Sequence, residues 1–159
     1  MDFNISIMKE KTIDYVLRAT WIAVSKMYNE EAGKAGSTMA TGFALLSIDP
    51  EKGTPSTSLG PKMGMEATSL SRILKSMEEK GLIIRKKHPK DGRIVLLHLT
   101  EFGKEMREYS KGVVLRFDET VKESVSEEDL EKFIEVAYVI MDLIANKKIY
   151  NQEANIKHT

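Results

Sequence analysis

Between Ser56 and Leu99 two short helical patterns are followed at once by a β-hairpin, and few folds accept that order. Gly64 separates the two helical patterns, and the second places Leu70, Ile73, Leu74 and Met77 on one face, with polar residues on the other. Lys80-Gly81 ends it. Leu82 to Arg85 and Ile94 to Leu99 are β-branched and aliphatic runs of strand length. Between them His88-Pro89-Lys90-Asp91-Gly92 reads as a turn in which Asp-Gly supplies the positive-φ chemistry of a tight hairpin.

Helix, helix, hairpin is the order of a winged helix-turn-helix. The flanks are helical. Ile7 to about Gly33 reads as one long helix, with Ile13, Val16, Leu17, Trp21, Val24, Met27 and Tyr28 at three- and four-residue steps. A second helix opens after Ser37-Thr38 and runs to Asp49-Pro50, and Glu51 to Pro55 reads as a loop. Thr100 caps a helix from Glu101 to about Glu123, and Ser126, followed by three acidic residues, opens the last one. That last helix carries Leu130, Phe133, Ile134, Ala137, Ile140, Met141 and Ile144 along one stripe, and residues 151–159 read as a frayed end. The terminal helices hold more apolar face than a small winged lobe needs, which points to an interface. The expected class is mainly α with a small β-hairpin wing. The expected division is a winged helix-turn-helix lobe over residues 37–104 and a helical interface region over residues 1–36 with 105–159, whose apolar face includes Ile13, Val16, Phe133, Ile140 and Ile144.

The net charge of zero conceals an uneven distribution: residues 56–104 hold 10 Lys and Arg against 5 Asp and Glu, between flanks that are net acidic. Such local positive charge attracts a phosphate backbone, because each neutralised phosphate releases condensed counterions. Cysteine is absent, so thiol chemistry, disulfides and cysteine-based metal sites are excluded. Neither a signal peptide nor a membrane span is visible at Met1 to Glu10, which places the protein in the cytoplasm.

In a helix-turn-helix the second helix enters the major groove while the first crosses the backbone. On the second, Thr68, Ser69, Ser71, Arg72 and Lys75 fall away from the apolar stripe. Arg72 has the reach and the fork to bond guanine O6 and N7, and Lys75 suits a phosphate. Ser58 and Lys62 on the first helix complete that set. On the hairpin, Arg85, Lys86, Lys87, Lys90 and Arg93 crowd one ribbon, where lysines set register and Arg93 suits a narrow minor groove. Taken singly, each feature also fits an ordinary solvated helix face or a lysine-protected sheet edge.

The run Leu59-Gly60-Pro61-Lys62-Met63-Gly64-Met65, then Thr68-Ser69-Leu70-Ser71-Arg72-Ile73-Leu74, then Met77 to Ile83 resembles the helix-turn-helix of the MarR family. Asp91-Gly92-Arg93 followed by Leu99-Thr100-Glu101-Phe102-Gly103 is similar to that family's D-x-R…L-T-x-x-G pattern. The likeness implies a homodimer with intertwined terminal helices, recognition helices in successive major grooves, and wings in adjacent minor grooves. It implies a regulator, a repressor on a palindromic operator, rather than an enzyme. Three positions depart from the pattern. Glu66 stands where a capping Ser, Thr or Asp is commoner, Gly60-Pro61 should shorten or delay the first helix, and Ile94 follows the wing arginine where relatives often have a polar group.

Members of the family commonly respond to small anionic or aromatic ligands held between the dimerisation helices and the DNA-binding lobe. Trp21, Tyr28 and Phe43 are the aromatic candidates for such a pocket, against the plain alternative that all three are core or interface residues. No cofactor is expected, and no metal: His88 and His98 lack the company of other ligands and read as solvated, and His158 lies in the frayed end. No nucleophile-base pair, phosphate loop or zinc signature suggests an enzyme. The serious rival is a winged-helix module that docks a protein rather than DNA, which would replace the positive surface of Arg72, Lys75 and Arg93 with apolar or acidic residues.

Overall fold

A computed structural model describes residues 12–150. The predicted start of the first helix at Ile7, the segment Met1 to Glu10, the predicted fraying of residues 151–159 and His158 lie outside these residues. The described chain contains six helices, α1 (Ile13–Lys34), α2 (Met39–Ser47), α3 (Ser56–Met63), α4 (Ala67–Glu79), α5 (Glu101–Ser124) and α6 (Glu127–Ala145). Three strands accompany them, β1 (Thr54–Pro55), β2 (Ile83–Lys87) and β3 (Val95–Leu99). The protein is mainly α-helical with a small antiparallel sheet, as its sequence predicts.

The caps of α2 and α6 are where the sequence places them. Thr12, not among the expected caps, accepts from Tyr15 N–H at 3.2 Å at the start of α1. Thr38 caps α2 through Thr41 N–H, and Ser126 caps α6 through Asp129 N–H. Each satisfies a backbone donor that a helix start otherwise leaves open.

The sheet corrects one prediction. Thr54-Pro55, within the expected loop, is an edge strand, with strand order β1-β3-β2 and register Thr54 opposite Leu97. Proline is admissible there because an edge strand needs no donor on its outer side. Two residues are too few to show a period, so only the partner strand reveals them. β2 pairs with β3 from Ile83 opposite Leu99 to Lys87 opposite Val95, so the hairpin strands end and begin slightly off the predicted bounds.

The core lies within residues 44–99: Leu45, Ile48, Leu59, Met77, Ile83 and Leu97 are fully buried, joined by Ala44, Leu70, Leu74, Leu82 and Leu99. α4 contributes the predicted stripe of Leu70, Leu74 and Met77, with Ile73 packed at its edge. Two close approaches shape this lobe. A Cβ at Gly103 would lie 1.9 Å from the Leu82 carbonyl oxygen, so α5 can start against the end of α4 only with glycine there. Gly60 is buried with its missing Cβ 3.2 Å from the Met65 carbonyl oxygen, which lets the turn close onto α3.

By compactness the chain divides after Val114. The first unit holds α1, the lobe and the start of α5; Tyr109 OH donates to the Glu31 carbonyl at 2.9 Å, joining α5 to α1. The compact division thus falls elsewhere than the predicted division by role. In the second unit, α6 has no buried residue: Phe133, Val136, Tyr138, Val139, Met141 and Ile144 are exposed, and Leu130, Ala137, Ile140 and Leu143 are half-buried. Among the described residues no helix is long and apolar enough to cross a membrane.

Candidate nucleic-acid interface

α4 turns Leu70, Leu74 and Met77 into the core, and this leaves Thr68, Ser69, Ser71, Arg72 and Lys75 exposed on its outer face. Arg72 enters no ion pair among the described residues, so its guanidinium is free to reach outward. Lys75 lies 3.9 Å from Glu79, an exposed pair whose contribution is small and which a phosphate could displace. Glu66 holds the N-cap position but makes no side-chain cap hydrogen bond. It is exposed.

α3 precedes α4 through Gly64, whose left-handed φ of 61° ends the helix, while Met65 N–H returns to the Gly60 carbonyl at 3.0 Å. The predicted shortening by Gly60-Pro61 does not occur. α3 begins directly after Pro55, and Pro61 sits inside it, costing one backbone bond in a helix of two turns. Lys62 is exposed on it. Ser58 is not presented: its hydroxyl donates to the Pro55 carbonyl at 2.8 Å and it is half-buried, which removes it from the predicted outward set.

The hairpin tip is built differently from its prediction. Gly92 is not among the positive-φ glycines, so no mirror-image Asp-Gly turn forms. Instead His88 Nδ1 accepts from Lys90 N–H and Asp91 N–H, both at 3.2 Å, and Asp91 Oδ1 accepts from Arg93 N–H at 3.0 Å. The loop closes through Ile94 N–H to the Asp91 carbonyl and His88 N–H to the Ile94 carbonyl. His88 is thus a turn-forming residue rather than a merely solvated one. His98 also departs from that prediction, since its ring edge faces Gly53. With the tip fixed, Arg93 projects a side chain that is 95% exposed, loosely paired to Asp91 at 3.5 Å. Lys86, Lys87 and Lys90 are exposed and enter no ion pair among the described residues. Ile94, the unusual residue after the arginine, is half-buried.

Sequence reasoning missed two ties that hold helix and wing together. Arg85 Nε donates to Glu78 Oε2 at 3.0 Å, fastening β2 to α4. Thr100 is the second tie. Its hydroxyl donates to the Gly81 carbonyl at 2.6 Å and accepts from Gly103 N–H at 2.9 Å, while Thr100 N–H donates to the Leu82 carbonyl. One threonine therefore joins the end of α4 to the start of α5, which gives the L-T-x-x-G spacing a mechanical meaning.

Of the predicted pocket residues, two come together. Tyr28 and Phe43 meet edge to face, with ring centroids 5.8 Å apart and planes at 75°. They line a cavity of about 30 Å³ with Ser37, Tyr109, Ser110 and Val113, room for about two waters. Trp21 is exposed and does not line it. Tyr109 and Ser110 were missed; their signal was their place beside Met106 and Val113 on one side of α5. Of the predicted interface residues, Ile13, Phe133 and Ile144 are more than half exposed, Val16 somewhat less, and Ile140 is half-buried.

Residues 38–95 match the model of the MarR family. The chain is 36% identical to the uncharacterised HTH-type transcriptional regulator YdgJ of Bacillus subtilis over 49% of its own length, and it spans about half (48%) of that relative. It is 30% identical to the HTH-type transcriptional regulator MhqR of the same organism, over 60% of this chain and 68% of the relative. With the organic hydroperoxide resistance transcriptional regulator of Bacillus subtilis it shares 27% identity over 87% and 92% of the two chains. Among solved structures, the MepR–DNA complex of S. aureus superimposes with a TM-score of 0.76 at 19% identity, covering 84% of this chain and 98% of that one. PcaV from Streptomyces coelicolor, in complex with its natural ligand, gives 0.70 at 17%, covering 83% and 93%. These two likenesses speak to the fold. The motifs and the family match, carried on a winged helix-turn-helix of matching architecture, show that the chain belongs to the MarR family, whose members are DNA-binding transcriptional regulators and not enzymes.

Proposed function

We propose that this regulator is a homodimeric repressor that reads a palindromic operator in the bacterial cytoplasm, with α4 in the major groove and the tip of the β2-β3 wing in the adjacent minor groove. One observation carries this reading: the outer face of α4, with Thr68, Ser69, Ser71, Arg72 and Lys75, stands beside a wing whose Lys86, Lys87, Lys90 and Arg93 are all exposed. Small polar groups approach base edges, Arg72 offers a bidentate fork, and Lys62 with the wing lysines supplies phosphate contacts. The MepR–DNA complex supports the same use of the fold. A protein-docking role would favour an apolar or acidic surface, and this one is positive.

Dimerisation would draw on the apolar residues left exposed on α1, including Ile13 and Val16, and on α6, including Phe133, Ile140 and Ile144. Residues 1–36 and 105–159 then serve assembly while 37–104 serve DNA. Two-fold symmetry in the protein would be mirrored in half-sites about one helical turn apart, roughly 34 Å.

Release by a small molecule would use the cavity at Tyr28, Phe43 and Tyr109. Its walls are aromatic, aliphatic and hydroxylated, with no charged side chain, and the Ser37 hydroxyl is buried without a hydrogen-bond partner among the described residues. Such a site suits an uncharged aromatic ligand better than an anion, and the ligand must widen the cavity to enter. A response through thiol oxidation is closed to a chain without cysteine.

Selection from a random DNA library, followed by binding of the enriched site at two salt concentrations, tests the DNA reading. An enriched inverted repeat is the expected result. Weak, sequence-indifferent and steeply salt-dependent binding would leave a protein partner as the better account.

A further inference from the structure

We infer that Glu66 reads a base: its carboxylate accepts a hydrogen bond from the exocyclic amino group of a cytosine in the major groove, at one position of each half-site. The inference rests on the DNA-binding reading above.

A carboxylate at the front of a recognition helix is costly. It approaches two strands of phosphate, and the repulsion must be offset by something it does. Capping the helix is the obvious task, and the structure removes it: Glu66 occupies the N-cap position with extended backbone (φ −67°, ψ 146°), yet its side chain makes no cap hydrogen bond. Its backbone carbonyl alone joins the helix, accepting from Leu70 N–H at 3.0 Å. No ion pair neutralises it among the described residues, whereas Glu78 and Glu79 at the far end of α4 are paired with Arg85 and Lys75. The side chain is exposed, and it is not packed into the turn, where Met65 and Gly60 make their contact through backbone.

An unengaged acceptor therefore precedes Ala67, Thr68 and Ser69, the segment of the recognition helix that enters the groove first. In the major groove, an acceptor-only side chain distinguishes the base pairs through their donors, and its natural partner is the N4 amino group of cytosine. Ala67, the small residue that follows, leaves room for the helix start to come close. An exposed glutamate at this end also interacts favourably with the helix dipole, which stabilises the fold but selects no base. Stability and sequence preference separate these two roles.

The test is the same random-library selection carried out in parallel with the full-length wild-type protein, Glu66→Gln and Glu66→Ala, with melting temperatures recorded for all three. The wild type should enrich C·G at one position per half-site. Glu66→Gln should move that preference to A·T, because an amide presents both the acceptor and the donor that adenine N6 and N7 require. Glu66→Ala should lose the preference there, about tenfold in relative affinity, while all other positions stay as they were. Both variants should bind sequences that lack that C·G pair somewhat more tightly, having lost a negative charge. Identical base profiles in all three proteins, with affinities raised equally, would overturn the assignment and leave only the dipole role. Failure of the wild type to enrich any motif would instead overturn the sequence-specific reading itself.

Discussion

The lobe from α2 to the wing and the helix α6 use apolar residues in opposite ways. In the lobe, Leu45, Ile48, Leu59, Met77, Ile83 and Leu97 vanish from solvent, and what stays outside is mostly polar or charged. In α6 no residue is buried, and Phe133, Tyr138, Val139 and Ile144 are each more than half exposed. Burying such side chains stabilises by about 1.5–3 kcal/mol apiece, so covering them in the proposed dimer would be favourable. A lobe with a closed core can fix the geometry of a few outward groups. A helix without one is the surface on which the proposed homodimer would form.

The sharpest way to break this comparison acts on the lobe. Gly103→Ala would drive a methyl into the Leu82 carbonyl, 1.9 Å away, forcing α5 off the end of α4. It should cost about 3 kcal/mol or more in chemical denaturation, and near-wild-type stability would show that this junction is not the rigid point described. On the other side, Phe133→Asp should leave the fold of the lobe intact but cost about 2–4 kcal/mol of association, halving the mass seen in sedimentation at moderate concentration. A variant that stays dimeric would move the interface away from α6.

Smaller effects sharpen the lobe's outward face. Arg72→Ala should cost about 1–3 kcal/mol against the preferred operator and relax one base position per half-site. Lys86→Ala should instead weaken binding to all sequences and lower the salt slope by about one for each contact removed. Equal behaviour of the two variants would erase the division between base reading and phosphate positioning. The smallest effect concerns the loop before β1. Asp49 Oδ1 accepts from Lys52 N–H at 2.8 Å and Glu51 N–H at 2.9 Å, and these two backbone donors hold its carboxyl below the ordinary aspartate value. A folded-state value below the unfolded one adds stability that is full above about pH 4 and lost as pH falls through the folded value. The stability gap between wild type and Asp49→Ala should therefore be constant near neutrality and shrink in acid. A gap that persists at pH 3 would show that the charge is not what matters.

Much of this was legible in the sequence, and its gaps share a cause. The stripe of Leu70, Ile73, Leu74 and Met77 announced α4 because a helical period is a property of neighbouring residues, and Thr38 and Ser126 are caps whose partners lie three residues away. β1 escaped notice because two residues take strand form only against Leu96 and Leu97. The wing tip defied the Asp-Gly reading because the His88 side chain supplies the acceptor that a mirror-image turn would have made unnecessary. Ser58, expected at the DNA, is half-buried with its hydroxyl bonded to the Pro55 carbonyl, a local contact that the sequence reading did not include. Trp21 looked like pocket lining beside Tyr28, yet it lies on α1 away from the cavity.

Sequence by itself determined the helices, the hairpin, their order, the basic middle of the chain and the family, since periodicity, capping and charge are local and need no partner. Tertiary structure alone decided which groups remain free. Arg85 was claimed by Glu78, Ser58 by Pro55 and Thr100 by Gly81, while Glu66 and Arg72 were left unclaimed, because a hydrogen bond or ion pair forms only where folding brings distant groups within about 3 Å.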